Sequence, residues 1–230
     1  MKSKALKPLF LFDIDGTLLR RAGPHHRMAL EHAASHHAQR PVTAEGVPVA
    51  GMLDRDILRL MLQAAGVAEK RIAQWMPAIV TDAQRHYPRI CPDLRHRVCD
   101  GVRPFLGRLQ RRGIQAGLVT GNLSRIGWHK MRMAGLRDYF SFGAFAEMGR
   151  TRSELAALAI ATARRRGWVQ TGTPIYLVGD HSNDIRAARD NNIRIISVTT
   201  GPMTRDELAA FSPDFLLDNI RTLPSEIIEF

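Results

Sequence analysis

From residue 102 onward the chain repeats one unit, a helical stretch closed by a glycine and followed by a short apolar run. Residues 102–112 have helical periodicity and stop at Gly113, after which Gly117, Leu118 and Val119 lead as a strand to Thr120. The same succession predicts helices over 124–134, 153–166, 183–191 and 204–210, each ahead of a strand: 142–145, 175–178, 193–198 and 215–217. Thr204 with Glu207 three residues on marks the start of the last helix. Strands separated by helices return in the same direction, so the pattern predicts an α/β fold with a Rossmann-like parallel sheet. Leu9 to Phe12, wholly apolar after Pro8, reads as its first strand, buried on both faces.

Between that strand and the repeating region the texture changes. Residues 20–99 carry helical periodicity without strand runs, including Asp54 ahead of Ile57, Leu58, Leu60, Met61 and Leu62, closed by Gly66. Pro77 is expected to interrupt the next helix, and Pro88, Pro92 and Gly101 to mark the return. The expected organisation is therefore a discontinuous core, residues 1–19 with 100–230, and a helical insert over 20–99. A 45% hydrophobic, 24% charged chain of 230 residues can bury cores of this size, which excludes a fibre or a disordered tail. No apolar run approaches the ~20 residues of a membrane helix. Two cysteines, Cys91 and Cys99, are too few to staple such a chain; with no leader-like segment, a reducing, cytoplasmic setting is expected.

The strand ends carry the chemistry. Asp13-Ile14-Asp15-Gly16-Thr17 follows the first strand directly, so two carboxylates stand at the edge where open α/β sheets bind ligands. One can attack or hold a cation while its neighbour moves protons. Thr120-Gly121-Asn122, at the end of the next strand, offers a hydroxyl and backbone N–H groups suited to a phosphate oxygen. Asp180 and Asp184, within Gly179-Asp180-His181-Ser182-Asn183-Asp184, add hard oxygens one helical turn apart, which suit Mg²⁺. Each segment alone is an ordinary capping turn; together they converge on one rim.

These motifs, in this order over essentially the whole chain, resemble the haloacid dehalogenase superfamily, in its phosphoglycolate-phosphatase-like branch with a helical cap after the first strand. The resemblance implies that Asp13 is the nucleophile and Asp15 the general acid and base, because an acidic residue two after the nucleophile distinguishes phosphate ester hydrolysis. It implies Thr120 with Gly121 and Asn122 at the phosphate, and Mg²⁺ held by Asp13, Asp180, Asp184 and the backbone carbonyl of Asp15. It implies that the insert sets substrate choice, with residues 18–27 and those from Gly51 and Asp54 near the leaving group. The departure is the third motif, where the family's Lys is missing from Glu147-Met148-Gly149-Arg150-Thr151-Arg152-Ser153-Glu154-Leu155. Counting back from the helix assigns its place to Arg150, with Arg152 as the alternative.

The expected partner is a small phosphorylated substrate. Thirty-three Lys and Arg against 22 Asp and Glu leave a charge of +11, and this keeps a second class open: a weakly catalytic scaffold binding nucleic acid or another polyanion, or a phosphatase for nucleotides or nucleic-acid ends. Aromatic content of 7% and the absence of a recognisable nucleic-acid module weigh against it. Arg runs such as 164–166 sit in last helical turns, where the dipole favours cations. Lys2, Lys4 and Lys7 form a short basic arm. His32 and His36 share a helix face but read as solvated rather than as a metal site.

Overall fold

The computed structural model describes residues 6–20 and 23–228; Lys2 and Lys4 of the basic arm lie outside the described residues. Six strands form one parallel sheet in the order β3-β2-β1-β4-β5-β6. They are β1 (Leu9–Phe12), β2 (Gln115–Val119), β3 (Phe142–Ala144), β4 (Ile175–Gly179), β5 (Arg194–Val198) and β6 (Phe215–Leu217). The chain builds outward from β1 through β2 to β3 and then crosses to β4 on the other side, so β1 and β4 border a topological switch point. Phe12 is level with Leu118 of β2 and Val178 of β4, and the loops after these three strands therefore open at one height.

Alternation along β1 divides the interior. Leu9 and Leu11 face the layer containing α6 (Arg152–Arg165) and α7 (Ser182–Asp190), while Phe10 and Phe12 face α4 (Val102–Arg111) and α5 (Ser124–Met133). Phe10 stacks on Tyr176 of β4 with ring centroids 5.1 Å apart. The short α8 (Arg205–Ala209) begins as expected, with Thr204 and Glu207 in a reciprocal capping box. Element ends otherwise differ from the sequence expectation by a residue or two.

Among the described residues, three helices lie between β1 and α4: α1 (His25–Ala38), α2 (Asp54–Ala64) and α3 (Glu69–Ile90), with α1 packed on both others and α3 also touching α5. The expectation that Pro77 interrupts a helix is not met, since α3 runs through both Pro77 and Pro88. An interior proline costs about 3 kcal/mol. Ile72, Met76, Ile79, Ala83 and Tyr87 form one buried stripe along α3, and large apolar side chains contribute about 1.5–3 kcal/mol each on burial. Packing outweighs the local defect. Among the described residues no helix is long and apolar enough to cross a membrane, and Cys91 and Cys99 are both free thiols.

Candidate active site

The loops after β1, β2 and β4 open into a cavity of ≈ 320 Å³, whose floor includes Asp13, Asp15, Arg152 and Asp180 and whose roof comes from the inserted helices. Asp13 is 5% exposed and is fixed at the strand end by its N–H donating to Val178 O (3.0 Å). Gly16 adopts φ +88°, and a Cβ there would overlap the Asp180 carboxylate, so the turn that carries Asp15 past β1 requires glycine. Asp13, Asp180 and Asp184 are all buried and each offers an oxygen within 4.8 Å of the others. The Thr17 hydroxyl donates to Asp180 Oδ1 (2.7 Å), and Asp184 Oδ2 accepts the His181 N–H (3.2 Å) at the start of α7.

Three carboxylates so close disfavour full ionisation. Burial, reinforced by Asp13 and Asp184, holds Asp180 well above the ordinary carboxylate range. Burial also pushes Asp184 up to about 7, with Asp13 adding to the rise and Arg152 opposing it. Asp184 Oδ1 has no hydrogen-bond partner among the described residues. A hard-oxygen donor set, buried and electrostatically strained, fits a cation such as Mg²⁺.

The cation that faces this cluster is Arg152, the alternative that the sequence left open, and not Arg150. Arg152 is 7% exposed; its guanidinium donates to Asp13 Oδ1 (3.1 Å) and to Val119 O (3.2 Å), and its Nε lies 3.3 Å from Asp184 Oδ1. Burial works against its charge, but Asp13, Asp184 and Asp180 outweigh burial and hold it protonated. Arg150 is exposed, and its backbone N–H is bonded to Glu154. The physical reason is helix phase. Thr151 is the N-cap of α6, accepting the Glu154 N–H, which makes Arg152 the first helical residue and leaves Arg150 in the loop outside.

Around Asp15 the arrangement is different. Its carboxylate does not join the other three; Oδ2 accepts from Asn122 Nδ2 (2.8 Å) and from Lys130 Nζ (2.5 Å). Burial would raise its pKa, but Lys130, His26 and Asn122 outweigh burial and hold it below the usual range. Asn122 also donates to Thr120 Oγ1 (3.0 Å). Thr120 is fully buried beneath it, whereas Gly121 and Asn122 line the cavity. Lys130 is 0% exposed and did not emerge from the sequence, although one signal was there: a lysine sharing the buried face of α5 with Ile126, Gly127 and Met131.

The residues expected near the leaving group divide. Gly23, His26, Arg27, Gly51, Met52 and Asp54 line the cavity, while Leu18 and Leu19 are core. The rest of the roof is apolar, with Leu30, Ala44, Val49 and Ile57. Asp54 is 2% exposed and is bound rather than free: Oδ2 accepts the Leu123 N–H (2.8 Å) and meets His26 Nε2 (2.9 Å). Elsewhere on the insert, His36 and His37 both approach Asp82, and His32 stacks on His86.

A parallel sheet with paired carboxylates at its switch point, an acidic pocket and a buried guanidinium defines a hydrolase of the α/β class with an inserted roof. The sequence pattern of the haloacid dehalogenase-like hydrolases matches residues 7–192, and the chain belongs to that family. It is 27% identical over 238 residues to a phosphoglycolate phosphatase of Agrobacterium fabrum, covering 100% of this chain and 96% of that one. It is also 27% identical over 183 residues to a phosphoglycolate phosphatase of Synechococcus elongatus, covering 76% and 79%. Its fold is similar to that of a predicted phosphatase from Clostridium acetobutylicum (TM-score 0.70, 16% identity, 98% of this chain and 100% of that one). It is also similar to that of a β-phosphoglucomutase from Clostridium difficile (TM-score 0.68, 17% identity, 97% and 96%).

Proposed function

We propose that the protein is a Mg²⁺-dependent phosphatase that hydrolyses a small phosphomonoester through an aspartyl-phosphate on Asp13, beneath the inserted helices acting as a cap. The observation that carries this reading is the placement of Asp13, Asp180 and Asp184 with oxygens within 4.8 Å of one another, the first two lining the cavity and Asp184 buried behind them, backed by Arg152. Asp13, the Asp15 backbone carbonyl, Asp180 and Asp184 would hold Mg²⁺, which supplies charge neutralisation at the phosphate oxygens when bound. Arg152 orients Asp13 and adds a fixed positive charge beside it. Asp13 attacks phosphorus as the bond to the leaving oxygen breaks, and Asp15 gives that oxygen a proton. Asp15 then takes a proton from water as the water attacks phosphorus, the bond to Asp13 breaks, and phosphate and the free carboxylate are regenerated. Asn122 and Gly121, at the cavity wall, and Thr120 behind them shape the phosphate end.

The apolar roof of Leu30, Ala44, Val49 and Ile57 supports a leaving group with an apolar body. The free thiols of Cys91 and Cys99 support a reducing, cytoplasmic setting. A panel of phosphomonoesters with and without Mg²⁺ tests the reading. Turnover that requires Mg²⁺ and is lost in Asp13→Asn is expected; Asp13→Asn turnover equal to the parent's would remove the nucleophile assignment.

A further inference from the structure

Lys130 is wholly buried, and an ammonium is removed from water only where its donors find acceptors. In a chain whose cations are 28 Arg and 5 Lys, this buried position on α5 holds a Lys, a compact charge rather than a planar fork. Lys130 Nζ meets Asp15 Oδ2 on one side and His26 Nδ1 (3.0 Å) on the other. An ammonium only donates, so Nδ1 is the acceptor; a carboxylate only accepts, so His26 Nε2–H donates to Asp54 Oδ2 (2.9 Å). Asp54 in turn receives the Leu123 N–H and gives its own N–H to Gly121 O (2.8 Å). Asn122, between those two residues, returns to Asp15. The bonds close a ring: Asp15, Lys130, His26, Asp54, the loop after β2, and Asp15 again. His26 and Asp54 belong to the insert; the other members belong to the sheet and its helices.

The ring fixes which oxygen of Asp15 can work. Two donors occupy Oδ2, which leaves Oδ1 as the oxygen without a protein donor among the described residues, on a side chain that lines the cavity. We propose that Lys130 and His26 are positioning residues that aim Asp15 Oδ1 at the leaving oxygen, and that His26 makes this aim depend on the insert being seated on the core. The inference rests on Asp15 being the acid and base of the phosphatase reaction proposed above.

A leaving-group comparison tests it. The step governed by kcat/KM runs through breakage of the ester bond, where an alkyl leaving group needs a proton and 2,4-dinitrophenolate does not. Lys130→Met is expected to lower kcat/KM for propyl phosphate about 100-fold, within the range of general acid catalysis, and for 2,4-dinitrophenyl phosphate less than tenfold. His26→Gln and His26→Ala should show the same selectivity at about 10- to 100-fold, the range seen when a supporting hydrogen-bond partner is lost. The double variant Lys130→Met/Asp15→Asn should be no worse than Asp15→Asn alone. Equal losses on both esters, or additive losses in the double variant, overturn the inference while leaving the phosphatase reading intact. If Lys130→Met does not fold by circular dichroism, the His26 variants decide by the same two ratios. Parent protein that hydrolyses neither ester overturns the phosphatase reading and the inference with it.

Discussion

Arg152→Met removes the guanidinium and keeps most of the apolar stem. What remains is Asp13, Asp180 and Asp184 with their oxygens within 4.8 Å and no cation against them. Breaking a buried pair by deleting one partner costs about 3–5 kcal/mol. At about 2–4 °C per kcal/mol for a chain of this size, metal-free Arg152→Met should melt roughly 6–20 °C below the parent. The deficit should narrow in excess Mg²⁺, which replaces part of the lost charge. The activity loss has a separate source. Removing one fixed donor from a developing charge costs about 10²–10³ in rate, so kcat/KM for an aryl phosphate at saturating Mg²⁺ should fall by that factor. Arg150→Met should stay within twofold on both measurements, because Arg150 is exposed and, among the described residues, only its backbone is bonded. Arg152→Lys should fall between, since one ammonium does not span both Asp13 and Asp184 as the fork does. Arg152→Met activity within threefold of the parent's, or greater damage from Arg150→Met, would contradict this role for Arg152.

Other outcomes follow from the same geometry. Gly201→Ala places a Cβ onto the Asp180 carboxylate without any backbone constraint of its own, so it should weaken Mg²⁺ activation at least tenfold, read as the concentration giving half-maximal rate. Asp180 and Asp184 have native pKa values raised above their unfolded values. The native state therefore binds more protons, and metal-free stability is greatest below the ordinary carboxylate range and declines as pH rises towards about 7. Melting curves between pH 4.5 and 8 without Mg²⁺ should decline more steeply with pH for the parent than for Asp184→Asn, since His86, His129 and His181, whose pKa values burial lowers, act in the opposite direction in both proteins, and equal slopes would contradict it. Burial pushes the Cys99 thiol up to about 11, so thiol-specific reagents at pH 8 should leave it unmodified until the protein unfolds. Because Leu30, Ala44, Val49 and Ile57 make part of the roof apolar, kcat/KM should rise with each methylene along short alkyl phosphates, by up to about fourfold per methylene.

The alternation of helix and strand was legible because burial of a parallel sheet writes itself as apolar runs, and strand ends then locate Asp13, Asp15, Asp180 and Asp184. Choosing between Arg150 and Arg152 needed the helix phase. Thr151 with Glu154 three residues on was a usable signal, since a capping threonine there makes Arg152 the first helical residue. Lys130 was less accessible. A single charge on an apolar helix face says that something must receive it, but Asp15 and His26 are 115 and 104 residues away in sequence. Pro77 misled for the opposite reason: its local cost is real, and a stripe of contacts made with other helices overrides it.

The points where the insert leaves and rejoins the core lie side by side. Leu19 forms an antiparallel bridge with Val98, the Cys99 N–H donates to Leu18 O (3.0 Å), and the Arg20 N–H donates to Arg97 O (2.8 Å). Topologically the three helices are therefore one long loop with a clasped neck. Any module whose own ends lie close together could stand on the same neck without displacing a strand, so the roof and the floor of the cavity can diversify as separate inheritable parts.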